Sequence, residues 1–304
     1  MVDLSRIDAP ISISMGAFDG VHLGHRVVIR EAVKQAELKG TKSAVITFDI
    51  PPKYVLNGKE LKLLSTEEEK VKKIKELGID YYIAIPFTHA FASLSPEEFL
   101  ERYIFVKDVR SVVVGFNFTF GHKAKGDASL LQKLCSNNGI EVIVIPPLKI
   151  EGKIVSSTLI RKLLLKGEVK EAKRYLGYNY TISGRVAQGY GIGKKLGVPT
   201  ANLWIPTLKM LPKDGVYAVC VRVDDNRYPG ACNIGHRPTF AGKDKSVEVH
   251  IIDYEDNAYG KNIQIEFLNR IRDERRFSSA EELIARIKED IKAAKEIFET
   301  EGNG

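Results

Sequence analysis

A chain of 304 residues, 44% hydrophobic and 28% charged, has the make-up of an ordinary globular protein and the length for about two domains. Its 25 glycines and 12 prolines, its polar opening Met1-Val2-Asp3-Leu4-Ser5-Arg6 and its lack of any apolar run near 18 residues argue against collagen-like, low-complexity, secreted and membrane-spanning classes. Three cysteines (Cys135, Cys220, Cys232) with no Cys-x-x-Cys argue for free thiols and a cytoplasmic address, and the net charge of +7 suits nucleic acid, nucleotides or phosphorylated substrates alike.

Over residues 1–165, short apolar runs alternate with helical patterns. Ile11–Met15 reads as a strand, and Gly24–Lys39 as a helix closed by Gly40. Ser43–Phe48 is β-like. Thr66–Leu77 is helical, with Thr66 and Glu69 at capping-box spacing and Gly78 as its stop. Tyr81–Ile85 is a strand. Ser95-Pro96-Glu97-Glu98 starts a helix with a cap, a proline at the first position and an acid at the third. Val112–Val114 reads as a buried strand, Asp127–Asn137 as a helix, Glu141–Ile145 as a strand and Ser157–Leu165 as a helix. This alternation predicts a parallel α/β sheet, in which ligands bind beyond the carboxyl ends of the strands.

From Tyr180 the pattern turns to β. Val216–Val223 alternates over its whole length. Val247, Val249 and Ile251 fall on one face of a strand, with Glu248 and His250 on the other; Ile263, Ile265 and Phe267 repeat the device. Such strands with glycine-rich turns suggest a small barrel. A long terminal helix follows, with Leu283, Ile287, Ile291, Ala294 and Phe298 as its apolar stripe and Ser279 and Glu282 as its cap. The boundary falls near Tyr175–Tyr180, which gives domains 1–176 and 177–304.

The segment Gly16-Ala17-Phe18-Asp19-Gly20-Val21-His22-Leu23-Gly24-His25 leaves the first strand and opens the first helix. Glycines there let backbone approach a phosphate, and the helix N-terminus offers free N–H groups and the positive end of a dipole. His22 and His25 are spaced to point at the same spot and to donate to a phosphate whose charge grows during transfer. His-x-x-His alone also suits a zinc fragment, but no third ligand of suitable spacing and no cysteine pair accompany it. Asp19 reads as a residue that orders the turn. Phe116, Phe118 and Phe120 alternate, which suits stacking on a flat ligand or, for at least one of them, the core.

In the second half, Gly184–Asn202 is the richest segment. Its glycines suggest a phosphate-cradling flap, or a solvated loop. It is not a Walker A loop, because Gln188 stands at the first glycine position and Lys195 where Ser or Thr should follow Lys194. Pro199-Thr200-Ala201-Asn202 adds a hydroxyl and an amide oxygen two positions apart, able to ligate a hard cation beside nucleotide phosphates.

Together these segments resemble the bacterial bifunctional riboflavin kinase/FMN adenylyltransferases, the FAD synthetases. Gly16–His25 resembles the nucleotidylyltransferase signature of that family. Gly115-Phe116-Asn117-Phe118-Thr119-Phe120-Gly121 resembles its Gly-x-(Asp/Asn)-Phe-x-Phe-Gly segment, and Ser156-Ser157-Thr158-Leu159-Ile160-Arg161 its Ser-Ser-x-x-Ile-Arg motif. Thr47-Phe48-Asp49-Ile50-Pro51-Pro52 resembles its Thr-Phe-x-x-x-Pro loop without the family's usual histidine. Pro-Thr-Ala-Asn, Gly215-Val216-Tyr217, Asn233–Phe240, Val247–His250, Tyr259-Gly260 and Ile271–Phe277 follow in the order of the riboflavin kinase domain. The resemblance spans residues 11 to 298.

It implies an N-terminal Rossmann-like nucleotidylyltransferase domain and a C-terminal antiparallel β-barrel of riboflavin kinase type with a long terminal helix. It also implies riboflavin, FMN and ATP as substrates, FMN and FAD as products, and Mg²⁺ as the cofactor. His22, His25 and Glu248 become catalytic, with Glu248 as the general base on the ribityl hydroxyl. Gly16, Phe18, Gly20, Gly24, Ser157, Thr158, Arg161, Gly189, Gly193, Lys194 and Lys195 become ATP- or phosphate-binding. Asn117, Arg272 and Phe277 become flavin-binding, and Thr200 and Asn202 metal-binding. Two rivals stand beside this reading: a nucleotidylyltransferase for another phosphate ester, and a non-enzymatic module binding flavin or nucleic acid. The chain carries neither a zinc-finger nor an RRM signature, so small-molecule substrates are expected, without nucleic acid or membrane partners. It carries no signal for oligomeric state.

Overall fold

Ile11–Met15 alternates isoleucine with serine, yet every one of its residues is buried, as expected of a strand covered on both faces. The structure is a computed structural model and describes residues 7–50, 52, 55, 62–187, 198–239, 242–275 and 277–301. Its contacts divide the chain into two compact units, Met1–Ser157 and Thr158–Gly304.

In the first unit, β1 (Ile11–Met15) is the centre of a five-stranded parallel sheet with β2 (Lys42–Phe48), β3 (Tyr81–Ile85), β4 (Val109–Gly115) and β7 (Glu141–Ile145), in the order β3-β2-β1-β4-β7. Ile13 pairs with Ala44 on one side and with Val112 on the other. One face of the sheet packs in a cluster with Phe99, Leu100, Ile104, Leu131 and Cys135. These come from α4 (Pro96–Tyr103), the turn after it, and α5 (Ala128–Ser136). The other face packs on α1 (Leu23–Lys39) through Val28, Ile29 and Ala32, and on α2 (Glu67–Lys75) through Ile74. Short hairpins β5–β6 (Thr119–Phe120, Gly126–Asp127) and β8–β9 (Lys149–Ile150, Lys153–Ile154) and the single turn α3 (His89–Ala92) complete the unit.

The helix boundaries follow local chemistry. Thr66 and Glu69 form the expected capping box, and so do Ser95 and Glu98. Asp127 caps α5 through the Leu130 N–H at 2.8 Å. Gly40 closes α1 at φ 62°, a left-handed conformation that glycine adopts without steric cost. The second helix ends at Lys75, earlier than the periodicity suggests. Leu77 and Gly78 donate to Ile74 and Lys75 in i→i+3 bonds, which tighten the last turn out of α-helical geometry.

Between β2 and β3, the Asp80 carboxylate accepts from the Ser43 N–H (2.9 Å) and Oγ (2.8 Å) and from Lys42 (3.1 Å). Burial works to raise its pKa, but these bonds outweigh it and hold the carboxyl below its ordinary value. A folded-state pKa below the unfolded one gives stability that is present at neutral pH and lost as the pH falls through the folded value. Asp80→Ala is therefore expected to cost about 1–2 kcal/mol at neutral pH, since the carboxylate is partly exposed. In urea denaturation the gap from wild type should narrow below about pH 3.9, the ordinary aspartate value.

The second unit begins with α6 (Ser157–Lys166) and α7 (Val169–Leu176). The Lys213 N–H donates to the Leu164 carbonyl at 2.9 Å, which ties α6 to the strands that follow. Those strands are β10 (Thr181–Ala187), β11 (Ala201–Trp204), β12 (Gly215–Val223), β13 (Asn226–Thr239), β14 (Gly242–Ile251) and β15 (Asn262–Arg272). They close a barrel in the order β10-β11-β14-β13-β12-β15. Every residue of β12 except Arg222 is buried, although its sequence alternates. The terminal helix α8 (Ala280–Glu301) packs on β12, β13 and β15, and Ala218 meets Ala294 and Ile252 beneath it. The outer face of the strand is thus covered as well as the inner.

Candidate active sites

In the first unit the strand order reverses between β1 and β4, and ligands of parallel sheets bind at that crevice beyond the strand ends. Gly16 directly follows β1 there, and Gly115 ends β4. Asn117 is exposed in the turn after Gly115, where the Phe118 N–H donates to the Gly115 carbonyl. Phe116 is exposed. Phe118 stacks on the buried Phe120 at 5.7 Å, and Phe120 belongs to the core.

The turn after β1 is held from below. Asp19 is buried, and its carboxylate accepts from the N–H groups of Leu64 (2.9 Å) and Ser65 (3.2 Å). The Gly20 N–H donates to Ser65 Oγ at 3.0 Å, and the Ser157 hydroxyl donates to the Asp19 carbonyl at 3.0 Å. Gly20 sits at φ 83° with Leu64 packed where a side chain would go, so only glycine fits. Phe18 stands among the residues expected at the phosphates; its ring is buried in the core and lies 3.0 Å from where a Gly16 Cβ would stand. Any contact it makes with a phosphate falls to its backbone. Asp19→Ala is expected to leave two buried N–H groups unsatisfied, lowering stability by about 2–4 kcal/mol, measured as a loss of melting temperature.

His22 caps α1. Its Nδ1 accepts from the His25 N–H at 3.2 Å, so the neutral ring carries its proton on Nε2. The rings of His22 and His25 stack at 3.5 Å and 17° from parallel, and Phe18 meets His25 edge-on at 5.4 Å. Gly24 lies against the His22 ring, where a Cβ would stand 3.3 Å from it. Two imidazoles and a helix N-terminus therefore converge at the end of β1. Thr158 and Arg161 follow Ser157 on α6, in the second compact unit.

In the second unit a cleft of about 320 Å³ opens between the barrel and α8. Thr200, Glu248, His250, Arg272 and Phe277 line it, from three separate parts of the sequence. Asn202 does not line the cleft but pairs in register with Glu248, which pairs on its other side with Asn233. Opposed residues of antiparallel strands share a face, so Glu248 stands between two amides. The His250 Nδ1 lies 2.8 Å from the Pro199 carbonyl. A carbonyl only accepts, so the histidine donates and anchors the start of Pro-Thr-Ala-Asn. Behind this row, burial and then the charge of Glu248 push the Cys232 thiol up, which keeps it neutral. Gly189, Gly193, Lys194 and Lys195 lie outside the described residues.

Thr200 and Asn202 offer a hydroxyl and an amide oxygen, hard donors that carry no charge. Such a set fits Mg²⁺ held jointly with substrate phosphates, better than a cage made by the protein alone. Among the described residues there is no group of three or more His, Cys, Asp or Glu able to hold a metal.

The FAD synthetase profile matches residues 4–159, and the riboflavin kinase profile residues 176–298. The chain belongs to the bifunctional riboflavin kinase/FMN adenylyltransferase family. It is 37% identical to the enzyme of that name from Listeria monocytogenes, over 94% of this chain and 92% of the relative. It is 39% identical to the one from Bacillus subtilis, with the same coverage. A crystal structure from Streptococcus pneumoniae, of a protein named for macrolide efflux, superposes with a TM-score of 0.87 at 34% identity, covering 94% of both chains. Among the described residues of this chain, no helix is long and apolar enough to cross a membrane.

Family motifs direct attention to Glu248 and Pro-Thr-Ala-Asn, but the cleft has further walls. Asn233, Glu274 and Asp290 line it, as do Leu283, Ile287 and Ile291 of α8. The sequence pattern gives those three apolar residues only to a packing stripe. Asp290 carried a readable signal: an acid three residues after Ile287 and four before Ala294 stands on the apolar face of its helix.

Proposed function

We propose that the chain makes FMN and then FAD, with residues 177–304 phosphorylating riboflavin and residues 1–176 adenylylating FMN. The observation that carries this reading is the convergence of Thr200, Glu248, Arg272 and Phe277 on one cleft.

In the kinase step, Glu248 accepts the proton of the terminal ribityl hydroxyl as that oxygen attacks the γ-phosphorus of ATP, and ADP leaves. The amides of Asn202 and Asn233 flank the base and hold its orientation. Thr200 and Asn202 are the groups that hold Mg²⁺, which supplies charge neutralisation on the transferred phosphoryl group. Gly189, Gly193, Lys194 and Lys195 contact the phosphates, and Arg272 and Phe277 the flavin. Phosphoryl transfer needs little more of the protein than a placed base and fixed positive charge.

In the adenylyl step, a phosphate oxygen of FMN attacks the α-phosphorus of a second ATP, and pyrophosphate leaves. No protein nucleophile takes part. The turn Gly16–Gly20, Gly24, the N-terminus of α1, and His22 and His25 surround the phosphates and donate to the charge that develops there. Ser157, Thr158 and Arg161 add donors at the start of α6, and Asn117 holds the flavin phosphate. Free thiols at Cys135, Cys220 and Cys232 suit a cytoplasmic address.

Chromatography of a reaction holding the pure chain, riboflavin, ATP and Mg²⁺ tests the proposal. FMN followed by FAD is expected. FMN alone would overturn the first-unit assignment, FAD formed only from supplied FMN the second, and no flavin product both.

A further inference from the structure

We propose that Asp290, on the C-terminal helix, is a positioning residue of the kinase cleft that orients the Arg272 guanidinium as a flat wall for the flavin ring. The inference rests on the riboflavin reading above and extends it to a residue no motif contains.

Asp290 stands on the apolar face of α8, with its side chain 4% exposed. A charge there is costly unless it is paired. Its carboxylate accepts from Arg272 Nε at 3.0 and 3.1 Å and from Nη2 at 2.7 Å, the two-pronged arrangement that fixes a guanidinium plane. Arg272 Nη1 donates to the Asp273 carbonyl at 3.0 Å, and Arg286 Nε lies 3.4 Å from Asp290 Oδ1. The guanidinium is therefore held at all three of its nitrogens by two partners, Asp290 and the Asp273 carbonyl, and Arg286 backs Asp290.

Both members of the pair line the cleft that holds Glu248. Three of its five N–H donors are engaged by Asp290 and Asp273, so the guanidinium plane is fixed and cannot swing toward a phosphate. The face of that fixed plane attracts an aromatic π-system. The Phe277 ring lies 5.6 Å from its Cζ and supplies a second flat surface. The pair thus suits the planar tricyclic end of a flavin, whose ribityl hydroxyl must reach Glu248. Stability alone does not call for such a pair, because an apolar pair of like volume commonly serves a core as well or better.

The test measures riboflavin affinity by quenching of flavin fluorescence and, separately, KM for riboflavin and for ATP. Asp290→Asn is expected to weaken riboflavin binding and raise its KM roughly 10- to 100-fold, with KM for ATP within about twofold of wild type. Unchanged riboflavin affinity in D290N would overturn the inference. The double variant R272M/D290L covers the case in which D290N fails to fold, since it removes both charges together. In the folded double variant, riboflavin affinity lost to the same degree as in R272M alone is expected of two residues acting as one unit; a further loss beyond R272M, or wild-type affinity, overturns the inference. The melting temperature and far-ultraviolet circular dichroism of each variant report an intact barrel. A wild-type chain that does not phosphorylate riboflavin would overturn the parent reading itself.

Discussion

Glu248→Gln is expected to lower FMN formation from riboflavin by about 10²- to 10⁴-fold, the span a placed general base commonly supplies. The amide keeps the shape of the carboxylate but cannot take the hydroxyl proton. The strand should not notice the change, because Val247 and Val249 carry its packing and Glu248 points into the cleft. Asn202 and Asn233 remain opposite, so riboflavin affinity should fall little and the loss should appear in kcat. FAD formation from supplied FMN should continue at the wild-type rate. Chromatographic rates with each substrate alone decide the matter, and a riboflavin rate within a few-fold of wild type would remove Glu248 from the chemistry.

Glu248 was legible because period-two alternation assigns a face: Val247, Val249 and Ile251 claim the core, and the carboxylate is left on the other side. Other local signals located β1, β3 and β7, as short apolar runs, and the helix starts at Thr66 and Ser95, by cap residue and spacing; all depend on neighbours in sequence. Alternation misled at β12, where α8 covers the face that a strand in isolation would expose. It also hid the double duty of Leu283, Ile287 and Ile291, since an apolar stripe looks the same whether it meets a core or lines a cleft. The Arg272–Asp290 pair joins residues 18 positions apart on a strand and a helix, and no local rule connects them. Phe18 shows the converse: it sits inside a segment whose residues are proposed to bind phosphate, and its ring packs beneath the turn.

Replacing His22 with asparagine is expected to separate its two tasks. Asparagine is among the best N-capping residues, so His22→Asn should keep the bond to the His25 N–H and hold the melting temperature. It removes the imidazole, and with it one donor to the transferring phosphate. Loss of a single such donor commonly costs about 10²- to 10³-fold in kcat. His22→Ala removes cap and donor together and should add a stability loss of about 1 kcal/mol. His25→Ala leaves the cap intact, because His25 takes part through its backbone N–H, so its effect should fall on FAD formation alone. The two rings stack at 3.5 Å and are proposed to act on one phosphate, so the double variant should lose little more than the worse single one. FMN formation from riboflavin should stay at the wild-type rate in all of these variants. A His22→Asn protein that melts as wild type and still makes FAD at the wild-type rate would reduce His22 to a cap.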